Sequence, residues 1–96
     1  MGRALQCRLI PTPSGDRIEV RGRLTARSRR RVVDLLWRRT SERGSRVTLD
    51  LAGVTYFDGP SVLVLLGNKQ IIEGQRGCAV DLTGLETATR RILALP

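Results

Sequence analysis

The sequence predicts an α/β domain with a mixed, mostly parallel sheet, an N-terminal β-hairpin and helices packed on it, in the order ββαβαβα. Three observations carry this expectation. Apolar residues alternate with a period of two in several short stretches, the spacing switches to that of an amphipathic helix between them, and 96 residues leave room for one core only. Strands separated by helices need crossover connections, so those strands run parallel.

The first strand is read from Leu5, Cys7 and Leu9, which alternate with Gln6 and Arg8. The segment PTPSGD then breaks the chain, because Pro11, Pro13 and Gly15 do not continue a ladder comfortably. Ile18, Val20, Gly22 and Leu24 resume the alternation, which predicts a hairpin. Val32, Val33, Leu36 and Trp37 line one face of a helix between Ser28 and Arg43, with Ser28 as the expected cap and Gly44 as the expected stop. Arg29, Arg30 and Arg31 fall in its first turn, where the helix dipole disfavours positive charge. Val47, Leu49 and Leu51 mark the third strand, which runs through Gly53 into YFDGPS. A helix with buried early turns follows over Val62 to Ile72, ended by Gly74 and Gly77, and then a short strand over Cys78 to Leu82. Thr83 and Glu86 have capping-box spacing ahead of a last helix whose inward face is Leu85, Ala88, Ile92 and Leu95. There is no internal repeat and no low-complexity tract.

Composition narrows the functional classes. Histidine is absent and the two cysteines, Cys7 and Cys78, are far apart, so no metal-ligand spacing or Cys/His catalytic pair exists and no cofactor is expected. The two thiols read as small apolar residues rather than a disulfide. No apolar run is long enough for a secretory signal or a bilayer span, and Gln6 stands where a myristoylation motif needs Ser or Thr, so a cytoplasmic, reducing location is expected. A formal charge of +8, from 17 Lys and Arg against 9 Asp and Glu, points to an acidic partner. One Trp, one Tyr and one Phe give no stacking platform for bases, which argues against direct nucleic-acid binding. Asp50 and Asp58 flank a strand, but no base, nucleophile and oxyanion arrangement assembles around them, so an enzyme is not expected.

The stretch YFDGPSVLVLL concentrates the remaining polar chemistry. It reads as a strand-to-helix junction in which Asp58 accepts from the free amides of the first turn and Pro60 sits where a missing N–H costs nothing. Gly59 is expected to permit a sharp turn, and Ser61 to lie near the surface. In a parallel sheet, the carboxyl ends of strands and the helix starts after them are where binding surfaces form.

The order of elements and the segment VTLDLAGVTYFDGPSVLVLLGNKQIIEGQRGCAVDL resemble the STAS family, the bacterial anti-sigma-factor antagonists and their relatives. The likeness covers nearly the whole chain: a strand reading L-D-L-x-G-V-T-x-x-D, a following helix, a glycine-bearing turn, a strand and a helix like TATRRILAL, with VRGRLT closing the hairpin. It implies a single domain over residues 1–96 without the last strand and helix that many relatives carry, which leaves an edge or helix face less covered and suggests a homodimer. It also implies a regulatory, non-enzymatic module in transcription signalling. Such a module docks on a kinase-type anti-sigma factor and is switched off by phosphorylation of a serine or threonine just after the Asp. Here that position is Gly59, which has no hydroxyl, and Ser61 is the displaced candidate phosphoacceptor. Arg23 and Thr25 stand where the family often has acids, so the resemblance places partner contacts at Arg23, Thr25, Arg27, Asp58, Gly59, Pro60 and Ser61. The alternative is an accessory or scaffold subunit of a transport or signalling assembly with no phosphorylation switch.

Overall fold

A computed structural model of the chain describes residues 4–94. The elements follow in the predicted order: β1 (Gln6–Thr12), β2 (Gly15–Leu24), α1 (Arg29–Arg39), β3 (Arg46–Phe57), α2 (Gly59–Arg76), β4 (Ala79–Thr83) and α3 (Leu85–Leu93). They build one four-stranded sheet in the order β1-β2-β3-β4, antiparallel between β1 and β2 and parallel elsewhere. The expected mixed sheet and hairpin are therefore present.

One face of the sheet carries the core. Ile18, Val20 and Leu24 from β2, Val47, Leu49 and Leu51 from β3 and Val80 from β4 are buried with Val32 and Leu36 of α1 and Leu65 and Ile72 of α2. Each such side chain contributes roughly 1.5–3 kcal/mol of hydrophobic burial, and together they set which face each helix turns inward. Both cysteines are free, Cys78 buried and Cys7 half-buried. Burial pushes the Cys7 thiol above its ordinary value, against the pull of Arg31.

Several local expectations are corrected. β1 does not stop at Pro11: the ladder continues through Pro11 opposite Asp16 and Thr12 opposite Gly15, because an edge strand tolerates a proline whose nitrogen faces away from its partner. Leu9 is 36% exposed rather than inward. α1 ends at Arg39, four residues before the expected Arg43, with Thr40 as its C-cap. The Thr40 hydroxyl donates to Leu36 O at 2.8 Å, and Arg76 reaches across from α2 to donate to Trp37 O and Thr40 O at 2.8 and 3.2 Å. These bonds satisfy the last carbonyls of α1, which then needs no glycine stop. Gly44 lies beyond the helix, in the loop before β3. Trp37 is half-buried and donates from Nε1 to Asn68 Oδ1 at 2.7 Å, with the Arg76 guanidinium 4.5 Å from its ring centre. α2 runs past Gly74 and stops at Gly77, whose φ of 62° is the left-handed conformation that closes a helix.

The last helix also starts differently. Gly84, not Thr83, is the N-cap, no side chain caps it, and Glu86 pairs with Arg90 instead. Gly84 has φ 78° and lies so close to Ala52 that a Cβ would collide with its backbone. Close approach therefore selects glycine here, at the cost of the capping box. Leu85, Ala88 and Ile92 are half-buried or buried, and Leu95 lies outside the described residues.

Two edges bound the sheet. At β4 the carboxylate of Glu73 accepts from Val80 N at 3.0 Å while Lys69 Nζ donates to Val80 O at 2.7 Å and to Glu73 at 2.9 Å. The pair occupies the groups a further strand would use, and so covers the edge there. The Val80 amide and Lys69 hold the Glu73 carboxyl below its ordinary value of 4.5. A depressed carboxylate pKa stabilises the fold above the unfolded value and ceases to do so as pH falls through the folded one. Stability should therefore decline as pH is lowered through and below the ordinary carboxylate value of 4.5. Glu73→Gln should flatten that decline in denaturant midpoints measured across the range; an unchanged slope would show the bond to Val80 is not formed in solution.

Candidate functional site

The paired ends of β2 and β3 bring the predicted site together. Arg23 lies opposite Tyr56 and Leu24 opposite Phe57, and Asp58 N donates to Leu24 O at 3.3 Å. The segment after β2 folds back on itself: Ser28 Oγ accepts from Thr25 N at 3.0 Å and donates to Arg23 O at 2.6 Å, while Arg29 N donates to Thr25 O at 2.8 Å. Ser28 occupies the N-cap position of α1 but makes no cap bond, because its hydroxyl is spent on this turn. The turn sets Arg23 and Arg27 outward at the same end of the sheet as the start of α2. Arg23 stacks over Tyr56 with 4.5 Å from its guanidinium carbon to the ring centre.

Asp58 caps α2 as expected, its Oδ1 accepting from Ser61 N at 2.9 Å. The Ser61 hydroxyl and amide and the Arg29 guanidinium hold its carboxyl below the ordinary 3.8, so it stays ionised at neutral pH. Pro60 follows within the first turn, where its missing N–H leaves no bond unmade. Gly59 and Pro60 are exposed.

Two expectations about this junction are corrected. Gly59 is helical rather than left-handed, and a Cβ there would meet nothing within 4 Å. No turn requires glycine at this position. Ser61 is 0% exposed, not near the surface. It lies one turn before the buried Leu65, on the stripe that α2 turns toward the sheet, and its oxygen is 3.5 Å from Arg29 Nη1. Its hydroxyl is thus out of contact with solvent in the folded chain. Arg29 is spent on this contact, and Arg31 donates to Leu5 O at 2.9 Å, so two of the three first-turn arginines of α1 tie elements together.

Sequence reading missed the outer face of α2. Leu63 is 69% exposed, with Leu66 and Ile71 also exposed along the helix. Every exposed residue from Gly59 to Gly74 is uncharged, and the charged Lys69 and Glu73 turn toward β4. The signal was legible as Leu63, Leu66 and Gln70 at helical spacing on the side opposite Ser61, Leu65 and Ile72. Reading the early turns as buried on nearly every side concealed it. No group of three metal-ligating side chains occurs among the described residues, and none of their helices is long and apolar enough to cross a membrane.

The family described as Mlab, STAS domain, matches residues 7–95. The chain belongs to the STAS family. Among solved structures, this STAS domain is similar to the anti-sigma-factor antagonist STAS domain from Rhodobacter sphaeroides, with a TM-score of 0.70 and 17% identity over 93% of this chain and 96% of that one. A comparison with curated proteins finds no match. The likeness fixes the fold.

Two substitutions test the reading of the junction. Gly59→Ala should leave stability unchanged or raise it by up to about 1 kcal/mol in chemical denaturation, since alanine suits a helix and space is free. A loss would mean the turn needs glycine after all. Ser61→Glu should destabilise by roughly 3 kcal/mol or more, because it forces a charge into a buried position. Unchanged stability would return Ser61 to the surface.

Proposed function

We propose that this STAS domain is a non-enzymatic, protein-binding regulatory module that docks a partner on the outer face and N-terminal end of α2, in the manner of an anti-sigma-factor antagonist but without a phosphorylation switch on that helix. One observation carries the reading: a chain with a net charge of +8 keeps a whole exposed helix face free of charge. Solvation alone gives no reason for that. Exposed leucines gain about 25 cal/mol per Å² only when something covers them.

The rim gives the partner its chemistry. Arg23 and Arg27 flank the start of α2, and neither makes an ion pair among the described residues. An apolar centre with cationic edges suits an acidic protein surface, which the arginines would steer at low salt and the leucines would hold. Thr25, Asp58, Gly59 and Pro60 complete the contact at the helix start, with Ser61 beneath it as support rather than as acceptor. The partner proposed is an anti-sigma factor, kinase-type or not.

A switch on α2 has nowhere to act. The residue after the Asp is Gly59, and Ser61 is buried against Arg29. Docking of this kind is governed by the partner's abundance or by other signals, and the same property suits a permanent subunit of a transport or signalling assembly.

The test is capture of the partner from the source cytoplasm, reconstitution of the binary complex from purified components, and titration calorimetry. Leu63→Glu should weaken binding at least about 100-fold, as loss of a central anchor does, with no change in melting temperature. Arg27→Glu should mainly slow association and reduce its salt dependence. Full affinity in the Leu63 variant would remove α2 from the interface.

A further inference from the structure

We infer that the outer edge of β1 is a docking strand for an extended acidic segment of a partner protein, which joins the sheet beyond β1. The surface is distinct from the outer face of α2, so the inference stands or falls independently of the reading above.

The two edges of the sheet are treated differently. On β4, Glu73 and Lys69 occupy the N–H and C=O of Val80, as a neighbouring strand would. On β1, among the described residues, a single outward group is taken: Arg31 donates to Leu5 O. In an antiparallel pair alternate residues exchange both hydrogen bonds with the partner strand, and the residues between them point theirs away. Two residues fix the parity. Pro11 lies in the ladder opposite Asp16 without an N–H to give, and Leu5 has its carbonyl turned to Arg31. The odd-numbered residues therefore face outward, and among the described residues nothing bonds the N–H and C=O of Cys7 and Leu9 along β1. That is the two-residue repeat an added strand pairs with. Pro11 limits pairing at one end, and nothing comparable among the described residues guards Cys7 or Leu9.

Charge decides the occupant. A groove along this edge is lined by Gln6, Cys7, Arg8, Glu19, Arg21 and Arg31. Arg8 and Arg21 make no ion pair among the described residues, and the one acid, Glu19, is 3.8 Å from Arg17. Uncompensated guanidiniums flank two free pairing positions, and the exposed Leu9 offers an apolar contact to an alternate side chain. A second copy of β1 would bring both sets of arginines together, and repulsion disfavours it. A nucleic acid would satisfy the charge but has no peptide backbone to pair with Cys7 and Leu9.

The test uses the full chain and a fluorescein-labelled octapeptide of alternating glutamate and valine. Anisotropy should show binding that weakens at least about tenfold between roughly 20 and 200 mM salt. In the complex, the Cys7 and Leu9 amides should exchange with deuterium at least about tenfold more slowly, while the Arg8 amide, already bonded to β2, should not change. The same peptide N-methylated at alternate residues, which keeps its charge and loses its donors, should bind at least about tenfold more weakly. Arg8→Glu combined with Arg21→Glu should weaken the parent peptide further, with an unchanged circular dichroism spectrum. Equal binding of the N-methylated peptide, or of a DNA oligomer of equal charge, would reduce the edge to a non-specific cationic surface and overturn the inference. So would absence of binding, or binding without protection of Cys7 and Leu9.

Discussion

The architecture rests on the hydrogen-bond demand of β3. This strand is twelve residues long and its inward side chains are among the most buried in the molecule, so its backbone groups have little access to water. β2 pairs along most of one side, but β4 is five residues long and pairs only from Arg46 to Asp50. Beyond Asp50 the other side of β3 needs partners from outside the sheet. Asp50 supplies one by accepting from Ala52 N at 2.9 Å, and Arg91 of α3 donates to Ala52 O and Val54 O at 2.7 and 3.2 Å. α3 therefore does the work of a missing strand, and the contact that seats it demands glycine at position 84. The same over-long strand carries Asp58 past the end of β4 and sets α2 starting at the tip of the sheet.

Arginine explains much of how so short a chain closes its loose ends. Arg31 caps Leu5 O, Arg76 caps the carbonyls at the end of α1, and Arg91 caps those of β3. Each reaches across between elements, and a planar guanidinium with several donors does this better than an ammonium can. These bonds use the donors and not the charge, which stays uncompensated. A chain built this way accumulates positive charge as a by-product of its own folding. The net charge is thus a poor guide to partner chemistry until the arginines with structural duties are set aside. Those left over among the described residues, Arg8, Arg21, Arg23, Arg27, Arg38 and Arg43, lie on β1 and β2, in the turn that follows β2, and at the end of α1 and in the loop after it.

Periodicity made the strands and helices legible because burial on one face is written directly into side-chain type, as in Ile18, Val20 and Leu24 or Val32 and Leu36. Element ends were less legible because they are decided by distant partners. No local signal near Thr40 announces that Arg76 will cap α1, and the Thr-x-x-Glu spacing at Thr83 looks sound until Ala52 is found against Gly84. At the site, Asp58 and Pro60 were legible, since capping is local chemistry. The depth of Ser61 was not, because it depends on the rotation of α2 against the sheet, which the buried Leu65 and Ile72 settle and in which neighbouring side chains differ by about 100°.

That rotation bears on how function is divided along this junction. With Asp58 as the cap, the next two positions turn to solvent and the third turns inward toward the sheet, as Gly59, Pro60 and Ser61 show. A modifiable hydroxyl can be reached only at the first two positions, where this chain has glycine and proline. The hydroxyl at the third position meets Arg29 and Asp58, so it joins α1 to α2 instead of facing a partner. Placing a solvent-facing hydroxyl here would need a change at Gly59 alone, because open space already surrounds it. The lack of a solvent-facing hydroxyl at this helix start is therefore a property of two side chains and not of the backbone.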